Sequence, residues 1–520
     1  MINKIKIPYF DFMSTKDNII KFKIGKLKQS SNENFKYIHN VKIEISEKIV
    51  ISFKDPESLI ETQWPPYDFS KNQIDSPDYE FEYKGYSFLF NNLIFTKISS
   101  DYTRKAKADN IIIKKGKFDY ESEVNVLELI DKSSLNNGTF EYDEFKINIC
   151  KITNQKIKEN YNAESGFYYE CKYTEIEKWN EFNWKLYLML RFYAGSLLFP
   201  QTKIITDSSN NFEIIFNGFE SYGESKSIFN EGFNSFSNFL ESSFEIFNKN
   251  YKIYNLLVSY WITLHNKSFV EIKNLSEFVF FEILVKYFSS LKKSEFSEKL
   301  YNVFDLQNFD LKFFNKLFFK EVMEEVEKIH KVFLIKYPNN TVLSDIFEFY
   351  EINFIIFYIM FYRNEIVHKG KINFNEDNLH KILNKICKKI ENEYLNKHRL
   401  PQKTISDFKK YQNNENNYWK GFKKGFKIAN EQKNSYTQEF NENIRPLIRD
   451  IHKKLHDHFK ENSIKLMDPL EVFDRIMIII LIRLLKINCY LTNEPRFYIN
   501  GKYIFKSEDY ISNFLKKENK

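Results

Sequence analysis

An arginine and a histidine separated by four residues stand in the stretch FYRNEIVHKG at positions 361–370. Arg363 carries a planar guanidinium that stays charged and can hold two phosphate oxygens. His368 carries an imidazole whose pKa, roughly 6.5, suits proton transfer near neutral pH. Together they have the chemistry for breaking an RNA phosphodiester bond without a metal, because attack by the 2′-hydroxyl needs proton transfer and stabilisation of negative charge on phosphorus.

The element that must position these groups is a long helix. Between Asp345 and Val367 the sequence contains no Pro or Gly, and Asp345 followed by Glu348 is typical of an N-terminal capping pair. The middle of the segment, residues 354–360, is apolar on all sides, which is typical of a helix enclosed by other helices. The last turn of such a helix is an unusual place for charged side chains, which need a partner or a role there.

The pattern of Arg363, the polar Asn364, four residues before His368, and Gly370 soon after resembles the active-site motif of the HEPN superfamily of helical ribonucleases. The loose form of the motif, an Arg and a His separated by four to six residues, is a weak signal, because it occurs three times in this chain. The resemblance implies a metal-independent endoribonuclease with no cofactor, whose products carry a 2′,3′-cyclic phosphate and a 5′-hydroxyl. It implies catalytic roles for Arg363, Asn364 and His368, with Asn364 orienting the histidine or a phosphate.

Helical geometry predicts that this site needs a second copy of the chain. Five residues turn a helix by about 140° beyond a full turn, so Arg363 and His368 do not share a face of an ideal helix. One imidazole cannot easily act as both acid and base, whereas a symmetric pair of helix ends supplies two. We therefore expect a homodimer or a higher assembly of dimers with a composite groove.

A structural interpretation stands beside the catalytic one. Basic side chains near a helix C-terminus often interact only with the last carbonyl groups and with the negative end of the helix dipole. Under that interpretation the chain is a binding or scaffold protein whose helical bundle dimerises and holds RNA or a protein partner without cutting it.

A second constellation lies in IRPLIRDIHKKLHDHF at 444–459. Arg449 with His456, and Arg445 with His452, fit a longer form of the same spacing, and seven residues return nearly to the same helix face. A second half-site within one chain is one interpretation, and a solvated lysine-rich face is the other. His452 and His456 also have metal-ligand spacing, but no further ligands cluster in the sequence, so no metal site is expected.

A basic stretch follows the first motif. Residues 380–430 contain 13 Lys and Arg against 4 Asp and Glu. The local net charge, 13 − 4 = +9, exceeds the net charge of +7 of the whole chain. Cations and rings alternate there, as binding of single-stranded RNA requires, and the candidate RNA-binding residues are Trp419, Lys420, Lys423, Lys424 and Lys427. An amphipathic helix with its rings towards the core is the alternative.

The 520 residues predict three or four domains of an α+β protein. We expect a β-rich N-terminal domain at 1–165, a mixed α/β connector at 166–250, a HEPN-like all-α bundle at 251–400, and a basic, mainly helical segment at 401–520. Four scattered cysteines indicate buried thiols and no disulfide framework. No segment has the length of a membrane helix, so a cytoplasmic protein without membrane contact is expected.

Local patterns in the first 220 residues predict strands and turns. Tyr79–Phe90 is typical of a hairpin turning at Lys84-Gly85, and Asn137-Gly138 is a strong hairpin signal between VNVLELI and FEYDEFKINI. KIIT and FEIIF predict a strand pair around residues 208–211. Trp64-Pro65-Pro66-Tyr67 predicts a surface loop, with a sensing or docking loop as its functional interpretation.

A β-rich front followed by a HEPN-like bundle resembles the layout of bacterial ApeA-type abortive-infection proteins. This second resemblance implies defence against phage, with a phage-derived or other trigger acting at the N-terminal domain and RNA as the substrate. Transfer RNA as the target is implied only by what members of the family cut.

Overall fold

The structure is a computed structural model, and it describes part of the chain. The described residues are 13–14, 19–29, 35–45, 49–54, 79–91, 94–98, 103–131, 135–153, 163–195, 200–217, 229, 235–265, 270–369, 377–396, 406, 409, 417–464, 466, 468–487, 489–490, 497–499 and 502–504. The expected loop at Trp64–Tyr67 lies outside them.

The protein is an α+β chain with a β-rich N-terminal region followed by a helical C-terminal part, as the sequence predicts. Two compact units divide it. One contains residues 1–268 and 480–520, and the other contains residues 269–479. The domain boundaries predicted at 165, 250 and 400 stay predictions.

Strands of the first unit form one long antiparallel sheet. In chain order these strands are β1 (Met13–Ser14), β2 (Ile19–Gln29), β3 (Phe35–Ile45), β4 (Ile49–Lys54), β5 (Tyr79–Tyr83), β6 (Tyr86–Asn91), β7 (Ile94–Ile98), β8 (Thr103–Ala108), β9 (Asn110–Lys115), β10 (Glu123–Asp131), β11 (Gly138–Tyr142), β12 (Phe145–Lys151), β13 (Ala163–Lys172), β14 (Pro200–Asp207) and β15 (Phe212–Asn217). Their spatial order is β11-β12-β13-β10-β14-β15-β9-β6-β5-β2-β3-β4-β8-β7, with β1 beside β2. A second sheet contains β16 (Cys489–Tyr490), β17 (Phe497–Ile499) and β18 (Lys502–Ile504).

Two of the three predicted strand turns are confirmed. The β5–β6 hairpin turns at Lys84 and Gly85, both with positive φ, and β14 pairs with β15 as expected. The hairpin predicted at Asn137-Gly138 is wrong. Gly138 begins β11, which pairs with β12 through a turn at Asp143, while the Asn137 side chain accepts a hydrogen bond from the Lys151 amide at 2.7 Å. The Asn137 side chain therefore binds the end of β12 and does not form the turn of a hairpin.

A buried ion pair joins two neighbouring strands of the sheet, β10 and β14. Lys203 of β14 lies 3.0 Å from Glu128 of β10, and both side chains are at least nine-tenths buried. Tyr169 and Asn183 donate to the same Glu128 oxygen at 3.1 and 3.2 Å. Because a buried charge must be compensated and hydrogen-bonded, this network fixes the register of the central strands.

Within the described residues, the first unit contains one helix between β13 and β14 and two helices after β15. They are α1 (Ile176–Ala194), α2 (Phe236–Lys249) and α3 (Tyr251–His265). Those that follow are α4 (Val270–Phe288), α5 (Phe296–Leu306), α6 (Leu311–Phe318), α7 (Lys320–Lys336), α8 (Thr341–Lys369), α9 (Asp377–Asn396), α10 (Asn417–Glu439), α11 (Arg445–Glu461) and α12 (Pro469–Leu484). None of the helices in the described ranges combines the length and apolar character needed to cross a bilayer.

The long central helix is confirmed, but its predicted start is wrong. Helix α8 begins four residues before Asp345, after Asn340, whose side-chain oxygen accepts from the Val342 amide at 3.0 Å. Asp345 and Glu348 therefore lie inside the helix, where Glu348 pairs with Lys312. The predicted apolar middle is buried, as residues 354–359 are at most 6% exposed.

Candidate functional site

Arg363 lies on α8 and is held by a carboxylate from another helix. Its Nε donates to Oε1 of Glu282 on α4 at 2.8 Å, and its Nη2 lies 2.6 Å from the same oxygen. The side chains of Arg363 and Glu282 are 26% and 36% exposed, so the pair sits at the edge of the helical core. The partner that the sequence required for this arginine is therefore Glu282, 81 positions away.

Aromatic rings fix the plane of the same guanidinium. Its carbon lies 4.4 Å from the ring centroid of Phe296 on α5 and 5.4 Å from that of Phe278 on α4. Cation–π contacts of this kind hold an arginine without using its N–H groups. Arg363 is therefore oriented by both a carboxylate and two rings before any ligand binds.

Asn364 contacts Arg363 as well. Its Oδ1 accepts from Arg363 Nη1 at 3.2 Å, whereas the role predicted for Asn364 was to orient the histidine or a phosphate. Of the five guanidinium N–H groups, three are used by Glu282 and Asn364, and two have no partner among the described residues. His368 lies in the last turn of α8, but its side chain and Gly370 lie outside the described residues.

A buried asparagine shapes the helix that carries these groups. Asn315 of α6, 0% exposed, donates to the carbonyls of Glu351 and Ile352 at 2.6 and 3.0 Å and accepts from the amide of Ile355 at 2.7 Å. Glu351 and Ile355 are partners in the backbone ladder of a regular helix. A side chain that enters this ladder sets the local path of α8, two turns before Arg363.

Lys385 of α9 is a further charged group at this end of α8. Its ammonium lies 5.0 Å from the ring centroid of Phe361. Burial lowers the pKa of Lys385, and the nearby Glu365 opposes that shift. Glu282 and Phe278 lie on α4, Phe296 lies on α5 and Lys385 lies on α9, and no local pattern in the sequence links these positions to Arg363.

A buried carboxyl lies on α4, on the residue immediately before Phe278. Glu277 is 1% exposed, and neither of its oxygens has a hydrogen-bond partner among the described residues. Burial raises the pKa of Glu277 well above its usual value, and Asp468 and Asp474 raise it further. Burial and the two neighbouring carboxylates therefore favour the neutral form of Glu277.

The second predicted constellation forms a polar seam between α9 and α11. The rings of His380 and His456 lie 3.9 Å apart, and His452 Nε2 lies 2.8 Å from Asn384 Oδ1. Arg449 does not meet His456. It donates to Glu391 at 2.9 Å, which is an ion pair between the two helices.

Arg445 also approaches Glu391, at 3.6 Å. Within the described residues no set of three or more His, Cys, Asp or Glu side chains is arranged to hold a metal ion.

This seam predicts that the protein loses stability in mild acid. Burial lowers the pKa of His380 and of His452, and His456 lowers both further. In the unfolded chain the two imidazoles titrate near pH 6.5, so protons bind the unfolded state first as the pH falls. The free energy of unfolding should therefore fall as the pH drops below about 6.5. Urea titrations between pH 7.5 and 5 measure this slope.

The charged groups facing these imidazoles are Asp377, Glu391 and Lys460. A His380→Gln/His452→Gln variant keeps these groups and should show a shallower slope over the same range. His330, whose pKa is also lowered by burial, provides the control as His330→Gln. Identical slopes for the double variant and the wild type would show that the seam does not govern the acid response.

The predicted RNA-binding lysines lie on α10, within the segment at 401–520 that the sequence predicts to be mainly helical. Lys420, Lys424 and Lys427 are exposed, and Lys423 is half-buried. Phe422 and Phe426 are half-buried with ring centroids 6.5 Å apart. The side chain of Trp419 lies outside the described residues. The helix therefore presents cations to solvent while its rings are partly covered.

Comparison with known proteins adds no family to this geometry. No family model matches the chain, and searches of curated proteins and of solved structures also found no match. The site itself consists of an oriented arginine with two open N–H donors, a polar neighbour, and a histidine five positions later in the same helix. Such a set can bind a phosphate and supply one proton-transfer group.

Proposed function

We propose that this protein is a metal-independent endoribonuclease of the HEPN type, acting in abortive-infection defence against phage. The observation that supports the proposal is the fixed orientation of Arg363 near the C-terminal end of the enclosed helix α8. Glu282 pairs with its guanidinium, and the rings of Phe278 and Phe296 contact it. An oriented guanidinium with open donors is what stabilisation of a charged phosphorus requires. The motif that follows it in the sequence ends at His368.

The proposed reaction needs three tasks from this chain and a second copy of it. Arg363 binds two oxygens of the scissile phosphate and holds the negative charge that develops on phosphorus. His368 of one copy removes the proton from the 2′-hydroxyl, and His368 of the other gives a proton to the leaving 5′-oxygen. Asn364 keeps the guanidinium turned towards the phosphate.

Glu282 pairs with Arg363 when no substrate is bound. Its carboxylate compensates the charge of Arg363 while no RNA is bound, at an N–O distance of 2.6 Å. A phosphate approaching the two open N–H groups adds negative charge beside that carboxylate. Binding therefore favours movement of Glu282 away from Arg363, which is feasible because the pair is partly exposed.

The direct test is the chemistry of the RNA ends. Wild type and His368→Ala are expressed in the same host, and RNA with 2′,3′-cyclic phosphate ends is captured and sequenced. The wild type should accumulate such ends and stop growth, and His368→Ala should reduce them by about 10²–10⁴-fold, the usual contribution of a general acid or base. Equal RNA ends in both strains would contradict the proposal.

Binding of RNA is expected to depend on the exposed lysines of α10. Neutralising Lys420, Lys424 and Lys427 to Gln removes three phosphate contacts, so the slope of log affinity against log salt should flatten by about 2. Filter binding of a fluorescent single-stranded RNA between 50 and 300 mM salt measures it. The control neutralises three exposed lysines of the other unit: Lys117, Lys151 and Lys252. An unchanged slope in the α10 variant would remove this helix from the RNA surface.

A second candidate function is a scaffold that binds without cutting. The specific observation in its favour is the same Arg363–Glu282 pair, because an arginine between a carboxylate and two rings also stabilises helix packing. This function predicts RNA binding with no cyclic-phosphate ends, in the wild type as in His368→Ala.

Activation belongs to the proposal as well. The β-rich N-terminal region would receive the phage-derived or other trigger, and dimerisation of the helical part would complete two active sites. Size-exclusion chromatography with light scattering reports the dimer. A fully active monomer would contradict the two-histidine mechanism.

A further inference from the structure

A cleft of about 590 Å³ opens between α5, α8 and α9, separate from the arginine site. Its α8 wall runs from Asp345 to Phe357, which is roughly 18 Å along a helix. The volume lies in the range of small-molecule sites. At its mouth Leu291 and Tyr301 are 38% and 40% exposed, so the cleft is open to solvent along this edge.

The lining of the cleft combines an apolar floor with an acidic rim. Ile352, Ile356 and Phe357 of α8 form part of the floor. The rim carries five carboxylates, which are Glu298, Asp305, Asp345, Glu348 and Glu393. Among the described residues, Lys389 and Lys312 are the ammonium groups paired with these carboxylates, and Lys312 is shared with Glu351, so the carboxylates of the rim are in excess.

One of these lysines shows how the cleft treats an ammonium. Lys389 lies 3.4 Å from Glu298 and 3.3 Å from Glu393, with its side chain 24% exposed. Burial lowers the pKa of Lys389, but the contacts with Glu393 and Glu298 outweigh it, so that the pKa is raised overall. The rim therefore stabilises an ammonium group through two carboxylates at once.

Two polar groups of the lining have neither an ion pair nor a side-chain hydrogen bond among the described residues. Asp305 is exposed at the rim, and its carboxylate has no ion pair among the described residues. Ser297 is 6% exposed, and its hydroxyl forms no hydrogen bond within the described part of the chain. This hydroxyl lies in the lining of the cleft on a residue that is more than nine-tenths buried, so it can donate to or accept from a ligand bound there.

We infer that this cleft binds an aliphatic polyamine, an extended chain of methylene groups that carries several ammonium groups. The methylene groups would lie on the apolar floor, and the ammonium groups would meet the excess carboxylates and donate to Ser297. The size of the cleft favours a polyamine over a helical peptide. Three turns of helix with side chains are about 10–12 Å wide and need more space than the 590 Å³ of the cleft.

Calorimetric titration of the full-length protein with spermine, in 0.15 M salt, tests the inference. We expect one saturable site, and at least 5-fold weaker binding for Asp305→Asn combined with Glu298→Gln, because both contacts are electrostatic. The matched control is Glu245→Gln, an exposed glutamate paired with a lysine on α2, and it should leave binding unchanged. Magnesium chloride at equal ionic strength should not compete for the site.

A second measurement does not depend on the folding of a variant. Carbodiimide coupling of bound spermine to carboxylates, followed by peptide mass spectrometry, should place the amine on Glu298, Asp305 or Glu393 of the wild type. Adducts spread over the whole surface, or equal spermine affinity in the double variant, would overturn the inference. So would a lysine-rich peptide that saturates the cleft when spermine does not.

Discussion

Arg363→Ala should lower kcat/KM for RNA cleavage by about 10²–10³-fold, the usual cost of removing one group that stabilises charge in a transition state. The loss should fall mainly on kcat, because the developing charge on phosphorus is largest in the transition state. Arg363→Lys keeps the charge but loses the planar fork and the stacking on Phe296, so it should recover only part of the rate. Single-turnover cleavage of a labelled RNA measures both variants.

The matched control is Arg475→Ala, which removes an arginine from an exposed pair with Glu471 on α12 and should leave the rate unchanged. Circular dichroism establishes that each variant is folded. If Arg363→Ala kept more than a tenth of the wild-type rate, Arg363 would be a structural residue, and the scaffold function would take precedence.

Asn315→Ala should lower the free energy of unfolding by about 2–4 kcal/mol, because three buried hydrogen bonds to the backbone of α8 are lost at once. The variant also leaves a small cavity beside Phe319 and Phe354, whose rings lie 4.9 Å apart near this point. Equilibrium unfolding in urea, followed by circular dichroism, gives the value.

Asn353→Ala provides the comparison for Asn315. Asn353 is half-buried on α8 and donates to the carbonyl of Phe349 at 3.1 Å within its own helix. Its removal should cost less than about 1 kcal/mol, since solvent can replace the bond. Similar losses for the two variants would mean that the contact between α6 and the α8 backbone carries no special stability.

Sequence patterns determined most of the secondary structure. The pattern at Tyr79–Phe90 predicted the hairpin of β5 and β6, in which Phe81, Phe88 and Phe90 are buried on one face. The run of apolar residues at 354–360 identified the enclosed helix, because only a helix surrounded by others buries every side. Arg363, Asn364 and His368 were identified from residue type and spacing alone.

Tertiary structure decided what these patterns left open. An Asn-Gly pair indicates a turn but not which strands pair across it. The strands on either side of Asn137-Gly138 do not pair with each other, because β10 pairs with β13 and β11 pairs with β12. Residue types that cap helices also occur inside helices, and the sequence does not distinguish the two cases. Asp345 and Glu348 were predicted at the start of the helix, but they lie inside it and line a cleft.

The partners of Arg363 lie on α4 and α5, far along the chain from α8. The sequence determined that a charged group stood at the end of an apolar helix and needed compensation. Only the packing of distant helices decided that the compensation is Glu282 with two rings, because contacts between elements depend on distances that residue order does not contain.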